Sequence, residues 1–326
     1  MRVEKNPRSG QIGRCVATLG SFDGVHRGHR CLLNQVRDIA AERDLTSMAI
    51  TFGTSPKSVL GTASAPQLTS AVERTHLLHQ LGMDEVALLD FTPQMAKMSA
   101  RDFMQQVLRE QLNVEVLVIG YDHRFGHGRT EGFSDYVRYG KELGIEIVRG
   151  EVCSENDEPI SSTRIRHLLT EGEVDKAAHL LGYSYRLYGE VIDGYKEGRK
   201  MGFPTANIHI ADKEKLIPAD GVYAVWVHCQ QSTNDKQHSS NSLFKGMLNI
   251  GYRPTLNNGE NRSIEVHLLD FNDSLYGQII TVEFVRRLRE ERSFSCVDEL
   301  TEQLEEDRET VRELLANSIN REEYSH

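Results

Sequence analysis

After Leu181-Gly182 the hydrophobic pattern of this chain changes its period, and that change constrains the fold more than any other feature. Before it, residues 15–19, 47–52, 86–89, 114–119 and 146–148 read as strands. Between them, 30–42, 73–81, 100–112 and 135–143 carry apolar residues at helical spacing, two of these stretches being closed by Gly82 and Gly144. Strands alternating with helices predict a parallel sheet covered on both faces. After the change, strand-like runs at 187–192, 221–228, 246–250, 263–269 and 279–284 are separated by turn residues. That pattern predicts a small antiparallel barrel. The chain ends on a helical stripe of Val297, Leu300, Leu304, Val311 and Leu314, with Ser295 as the expected N-cap. The 326 residues hold no internal repeat, so two unlike domains are expected, 1–183 and 184–326.

The formal net charge of −10 speaks against DNA or RNA as a partner, because a phosphodiester backbone needs a basic face. Anionic small ligands stay admissible, since helix N-termini and a few arginines can hold phosphate locally. The five cysteines (Cys15, Cys31, Cys153, Cys229 and Cys296) are scattered, with no CxxC pair, which predicts reduced thiols rather than a disulfide framework. No N-terminal stretch reads as a signal peptide, and no apolar run approaches the ~20 residues of a membrane span. A soluble cytoplasmic protein with no membrane partner is expected; the oligomeric state stays open. The polar segment 230–241 (QQSTNDKQHSSN) is expected to be a long, mobile hairpin loop.

Two segments carry the chemistry of the first half. Residues 18–29 read TLGSFDGVHRGH, between an expected strand and an expected helix. Gly24 and Gly28 allow close backbone approach, the helix N-terminus attracts phosphate, and His26 and His29 can donate to its oxygens. Taken alone, the turn could equally carry two incidental histidines or a metal pair. Residues 160–166 read ISSTRIR, hydroxyls and arginines at a helix start, which suits a polyphosphate or a plain N-cap. Together the two segments resemble the nucleotidyltransferase superfamily with the HxGH signature, which transfers an adenylyl group from ATP. That resemblance implies that His26 and His29 stabilise the transition state at the phosphates. It places Gly20, Phe22, Asp23, Gly28, Ser162, Thr163 and Arg166 around the ATP. Residues 120–129 (GYDHRFGHGR) resemble the flavin-specific branch, and imply that Gly120, Asp122, Arg124 and Phe125 line a flavin. His123 stands where that branch has Phe. After the second strand the branch carries F-D-P-H-P; here the residues are Phe52-Gly53-Thr54-Ser55-Pro56, without the Asp and the His.

The second half opens on a glycine-rich run, residues 189–207, that ends in GFPTAN. Such a run can lie over phosphates through its backbone N–H groups. Thr205 and Asn207, two apart on an extended segment, offer hard oxygens on one side, suited to Mg²⁺ beside phosphate. No Walker A sequence is present. The run resembles the riboflavin kinase signature, and the likeness continues through Asn249-Ile250-Gly251, IEVHLLDF at 264–271, and Leu288-Arg289. It implies ATP and flavin contacts at Gly194, Gly198, Arg199, Gly202, Pro204, Asn249 and Arg289, and a general base at Glu265. His267 is expected to be structural.

The two resemblances, in this order, imply a bifunctional flavin-cofactor enzyme, α/β followed by β. One half phosphorylates riboflavin with Mg-ATP; the other adenylylates FMN with ATP to give FAD. Two other readings stay open: a kinase with a degenerate first half, and a flavin carrier without turnover.

Overall fold

The computed structural model describes residues 2–7, 10–54, 59, 61, 65–121, 123–151, 154–155, 158–193, 198, 201–230, 241–252 and 262–316. The chain divides into two compact units, 1–162 and 163–326. The polar segment expected as a hairpin loop falls outside the described residues over 231–240.

The first unit is built on a six-stranded sheet in the order β1-β4-β3-β2-β5-β6. Its strands are β1 Arg2–Lys5, β2 Cys15–Leu19, β3 Thr46–Phe52, β4 Glu85–Leu89, β5 Val114–Ile119 and β6 Glu146–Arg149. Every pairing is parallel. All five residues of β2 are buried, as a strand covered on both faces requires. Cys15, Ala17 and Leu19 enter one core with Met104, Leu108 and Leu117; Val16 enters the other with Phe22, Leu33 and Val36. The second core is closed by α1 Arg27–Glu42, which buries Leu33, Val36 and Ala40 on one stripe. From β2 the chain winds one way to β3 and β4, and later the other way to β5 and β6. The crevice at the carboxyl ends of β2 and β5 is therefore the switch point where ligands bind in open α/β sheets.

Three details depart from the sequence pattern. The edge strand β1 (RVEK) pairs with β4, although its charged alternation carries no strand signal. The stretch expected as one helix over 100–112 is a short α-helix, Ala100–Phe103, followed by a π-helix, Met104–Gln111, that still buries Met104, Val107 and Leu108. Cys31 on α1 is disulfide-bonded, which corrects the expectation of thiols throughout; Cys15, Cys229 and Cys296 are free. Burial pushes the Cys15 thiol up to about 12, so it packs as an inert hydrophobe.

The second unit opens on helical turns, to Leu181, and continues as a closed six-stranded barrel in the order β10-β13-β12-β11-β14-β9. Between the sheet and the barrel the chain forms a two-residue ladder, β7 Ser154–Glu155 with β8 Glu158–Pro159. The barrel strands are β9 Arg186–Ile192, β10 Ala206–His209, β11 Gly221–Gln230, β12 Asn241–Tyr252, β13 Arg262–Leu268 and β14 Ile279–Arg289. The unexpected strand is β10, the tail of GFPTAN. Along β9, Leu187, Gly189 and Val191 are buried and alternate with residues open to solvent. A terminal helix, Val297–Ala316, packs Val311 and Leu315 on Phe203, Val222, Ala224 and Met247. Its stripe is shifted from the expected one: Val297 is 61% exposed, while Leu315 is fully buried. Ser295 is not the expected N-cap; its N–H and hydroxyl both donate to Glu299, at 3.0 and 2.8 Å. Among the described residues no helix is long and apolar enough to cross a membrane.

Candidate functional site

The turn after β2 is unusually constrained. Phe22 and Val25 sit at φ +46° and +36°, in the region L-residues avoid, yet both side chains are buried. Asp23 holds the turn there. Its carboxylate accepts the N–H groups of Leu68 and Thr69 at 3.0 and 2.9 Å and the Thr69 hydroxyl at 3.1 Å. Asp23, expected beside the nucleotide, thus braces the loop. A Cβ on Gly20 would meet the Phe22 ring at 3.0 Å.

His26 is the N-cap of α1: its Nδ1 accepts the backbone N–H of His29 at 3.3 Å. That bond leaves the imidazole proton on Nε2, an assignment drawn from the hydrogen-bond pattern. The two imidazoles stack with centroids 3.6 Å apart and 16° between planes, and Phe22 packs edge-on against His29 at 5.3 Å. His29 Nδ1 is buried and has no hydrogen-bond partner among the described residues. Desolvation holds His29 well below the usual imidazole range, helped by His26, Arg74 and His123. His29 is therefore neutral at pH 7.

Ser162 reaches the same turn from far along the chain: its hydroxyl donates to the Asp23 carbonyl at 2.9 Å. Gly28 makes room for this, since a Cβ there would stand 3.2 Å from both the Ile160 carbonyl and the His26 ring. The two sequence segments thus converge on one turn. Thr163 is exposed and Arg166 half-buried on the helix Ser162–Thr170, which is anchored by Ile165 and Leu169.

The loop after β5 is fastened by Tyr136. The Phe125 N–H donates to the Tyr136 hydroxyl at 3.1 Å, and the two rings stack at 4.3 Å. Phe125, expected to line the flavin, is only 8% exposed and belongs to the core beside Phe103. Arg124 is exposed, and a Cβ added at Gly120 would meet His123 Cβ at 3.7 Å. Gly126 is at φ +91°, and a Cβ there would meet the Ala100 nitrogen at 2.7 Å. Asp122 lies outside the described residues.

In the barrel, Glu265 sits in a row of polar residues. The register pairs it with Asn207 on β10 and with Asn249 on β12. The Thr205 hydroxyl donates to the Glu265 carboxylate at 3.1 Å. The Phe203 N–H closes a turn on the Gly198 carbonyl at 2.8 Å, and Gly202 takes φ +82°. Pro204 is exposed, and its carbonyl accepts from His267 Nδ1 at 2.8 Å. His267 is buried, packs edge-on against Phe203, and is held by desolvation below its ordinary value. Asn249 donates to Glu291 at 3.4 Å. Arg289, expected at the ligand, grips Asp307 of the terminal helix through Nε and Nη2, the latter at 2.8 Å. Gly194 and Arg199 lie outside the described residues.

Sequence reasoning missed Tyr136, Thr69 and Arg74. Arg74 alone had a legible signal: it stands four residues before Leu78, on the buried stripe of its helix, where a cation is out of place.

Comparison with known proteins agrees with this division. A family model described as FAD synthetase matches residues 9–164, and one described as riboflavin kinase matches 181–315. A bifunctional riboflavin kinase/FMN adenylyltransferase of Escherichia coli K12 is 37% identical over 300 residues, covering 92% of each chain. One from Bacillus subtilis is 36% identical over 311 residues, covering 93% of each. A crystal structure described as a macrolide-efflux protein from Streptococcus pneumoniae superposes with a TM-score of 0.83 at 30% identity, covering 95% of this chain and 98% of that one.

Proposed function

The chain belongs to the bifunctional riboflavin kinase/FMN adenylyltransferase family, and on that premise we infer how its residues divide two successive transfers. It is a transferase using ATP twice. The kinase half phosphorylates riboflavin to FMN; the synthetase half adenylylates FMN to FAD and releases pyrophosphate. Relatives that match across both halves favour this over a lone kinase or a carrier.

In the barrel, Glu265 takes the proton of the riboflavin 5′-hydroxyl as the γ-phosphoryl group arrives. The Thr205 hydrogen bond to one carboxylate oxygen orients Glu265 for this role. Thr205, Asn207 and Glu265 are all hard oxygen donors, and among the described residues no group of three or more His, Cys, Asp or Glu side chains is arranged to hold a metal ion. That set fits Mg²⁺, which keeps waters and takes further ligands from ATP. When bound, the ion offsets the negative charge of the transferring phosphates.

At the sheet, His26 Nε2–H and the neutral His29 donate to the α-phosphate region as FMN attacks, and pyrophosphate leaves without a covalent intermediate. Ser162 holds the turn in place. Arg124 and the Gly120 backbone face the flavin. The same reading makes the enzyme cytoplasmic, with no nucleic-acid partner.

The observation that carries this division of residues is the hydrogen bond from Thr205 to the Glu265 carboxylate, on a strand position flanked in register by Asn207 and Asn249. Purified protein with riboflavin, ATP and Mg²⁺, followed by chromatography, is expected to show FMN first and FAD later. FMN that accumulates without FAD would contradict the adenylyl-transfer half; tight flavin binding without product would contradict both.

A further inference from the structure

Arg74 lies on the helix Ala71–Gln80 and is only 5% exposed. A guanidinium cannot shed its charge, so one buried this deeply is normally paired with a carboxylate. Here Nη2 donates to the Phe52 carbonyl at 2.5 Å, a neutral partner, and Nε is buried with no hydrogen-bond partner among the described residues. The two carboxylates in its field are Asp23 and Glu73. Asp23 is turned to Leu68 and Thr69, and Glu73 caps the helix through the Ser70 N–H at 2.5 Å. Neither forms an ion pair with Arg74.

The position of this charge is informative. Phe52 ends β3, which adjoins β2 in the sheet, so Arg74 stands at the carboxyl edge beside the histidine turn. It is near enough to His29 to depress that imidazole. Phe52 also begins the segment Phe52-Gly53-Thr54-Ser55-Pro56, which lacks the Asp and the His of the family pattern.

We propose that Arg74 is the buried counter-charge of the adenylyl-transfer site, a positioning residue whose fixed positive field receives the ATP triphosphate and the pyrophosphate it releases. The inference rests on the reading of this site given above. A buried charge with no carboxylate in direct contact destabilises the empty protein, and a polyphosphate beside it offsets that penalty.

The test uses the full chain with two substitutions. Arg74→Gln keeps a donor for the Phe52 carbonyl and removes the charge; Arg74→Lys keeps the charge. Arg74→Gln is expected to lower kcat/KM for FAD formation from FMN by about 100-fold. FMN formation should be unchanged, and Arg74→Lys should retain activity within about tenfold. Without nucleotide, the thermal midpoint of Arg74→Gln should be no lower than that of the parent protein, but the upward shift caused by pyrophosphate should largely vanish. Adenylyl transfer by Arg74→Gln within about threefold of the parent would overturn the inference. So would equal loss in both variants, or failure of Arg74→Gln to fold, since either makes Arg74 a structural residue. A parent protein that forms no FAD overturns the reading of the site, and the inference with it.

Discussion

Thr205 and Glu265, 60 positions apart in the chain, meet side chain to side chain at 3.1 Å, and this contact joins the GFPTAN turn to the barrel wall. It holds the Glu265 carboxylate, the base of the proposed mechanism, in a fixed orientation. Glu265→Gln preserves size and hydrogen bonding but cannot take a proton. FMN formation should fall by about 10²–10⁴-fold, while FAD formation from added FMN stays intact. Unchanged FMN production in this variant would remove Glu265 from the mechanism.

His29→Ala should produce the opposite split. The loss of one donor at the developing charge is expected to cost FAD formation about 10²–10³-fold and to spare FMN formation. A folded mutant that loses both activities would contradict separate sites.

The depressed basicity of His29 has a pH consequence with a definite sign. In the unfolded chain this imidazole binds a proton near its usual value of 6.5; in the folded protein it does so only well below that. Between those two values the unfolded state binds more protons, so stability falls as the pH drops through this window and is fully present above it. An NMR titration of the His29 ring should show no protonation around pH 6.5. A midpoint at the usual value would refute the desolvated stack.

Arg289 and Asp307 make a prediction about stability rather than turnover. Asp307 is 4% exposed, and it also accepts from Gln303 at 2.9 Å. Asp307→Asn strands the guanidinium against the barrel and should cost about 3 kcal/mol in denaturant unfolding. A cost below about 1 kcal/mol would mean that the terminal helix is held by Val311 and Leu315 alone.

Tyr136→Phe tests the anchoring of the loop after β5. The ring stack with Phe125 survives, but the Phe125 N–H loses its acceptor. The KM for FMN in adenylyl transfer should rise several-fold with little change in kcat, because the loop is loosened and the histidines are untouched. A fall in kcat at constant KM would place Tyr136 in a different role.

The two-part architecture was legible because period and turn residues are local signals. His26, His29, Ser162 and Glu265 could be named as candidates because their motifs fix spacing as well as identity. What escaped was set by distant neighbours. The β1 strand gains its place only by pairing with β4, some eighty residues away. The hydrogen bonds of Asp23 to Leu68 and Thr69, the packing of Phe125 on Tyr136 and the ion pair of Arg289 with Asp307 likewise depend on partners that no motif announces.

The hydrogen bond from Ser162 to the Asp23 carbonyl spans 139 positions. On a ribosome the N-terminal residues emerge first, so β2 and the histidine turn are made long before the segment that braces them. The nascent sheet can pair its early strands, but the brace on this turn must wait for nearly half of the polypeptide. Any truncation that stops short of Ser162 would yield a sheet with its turn unlatched.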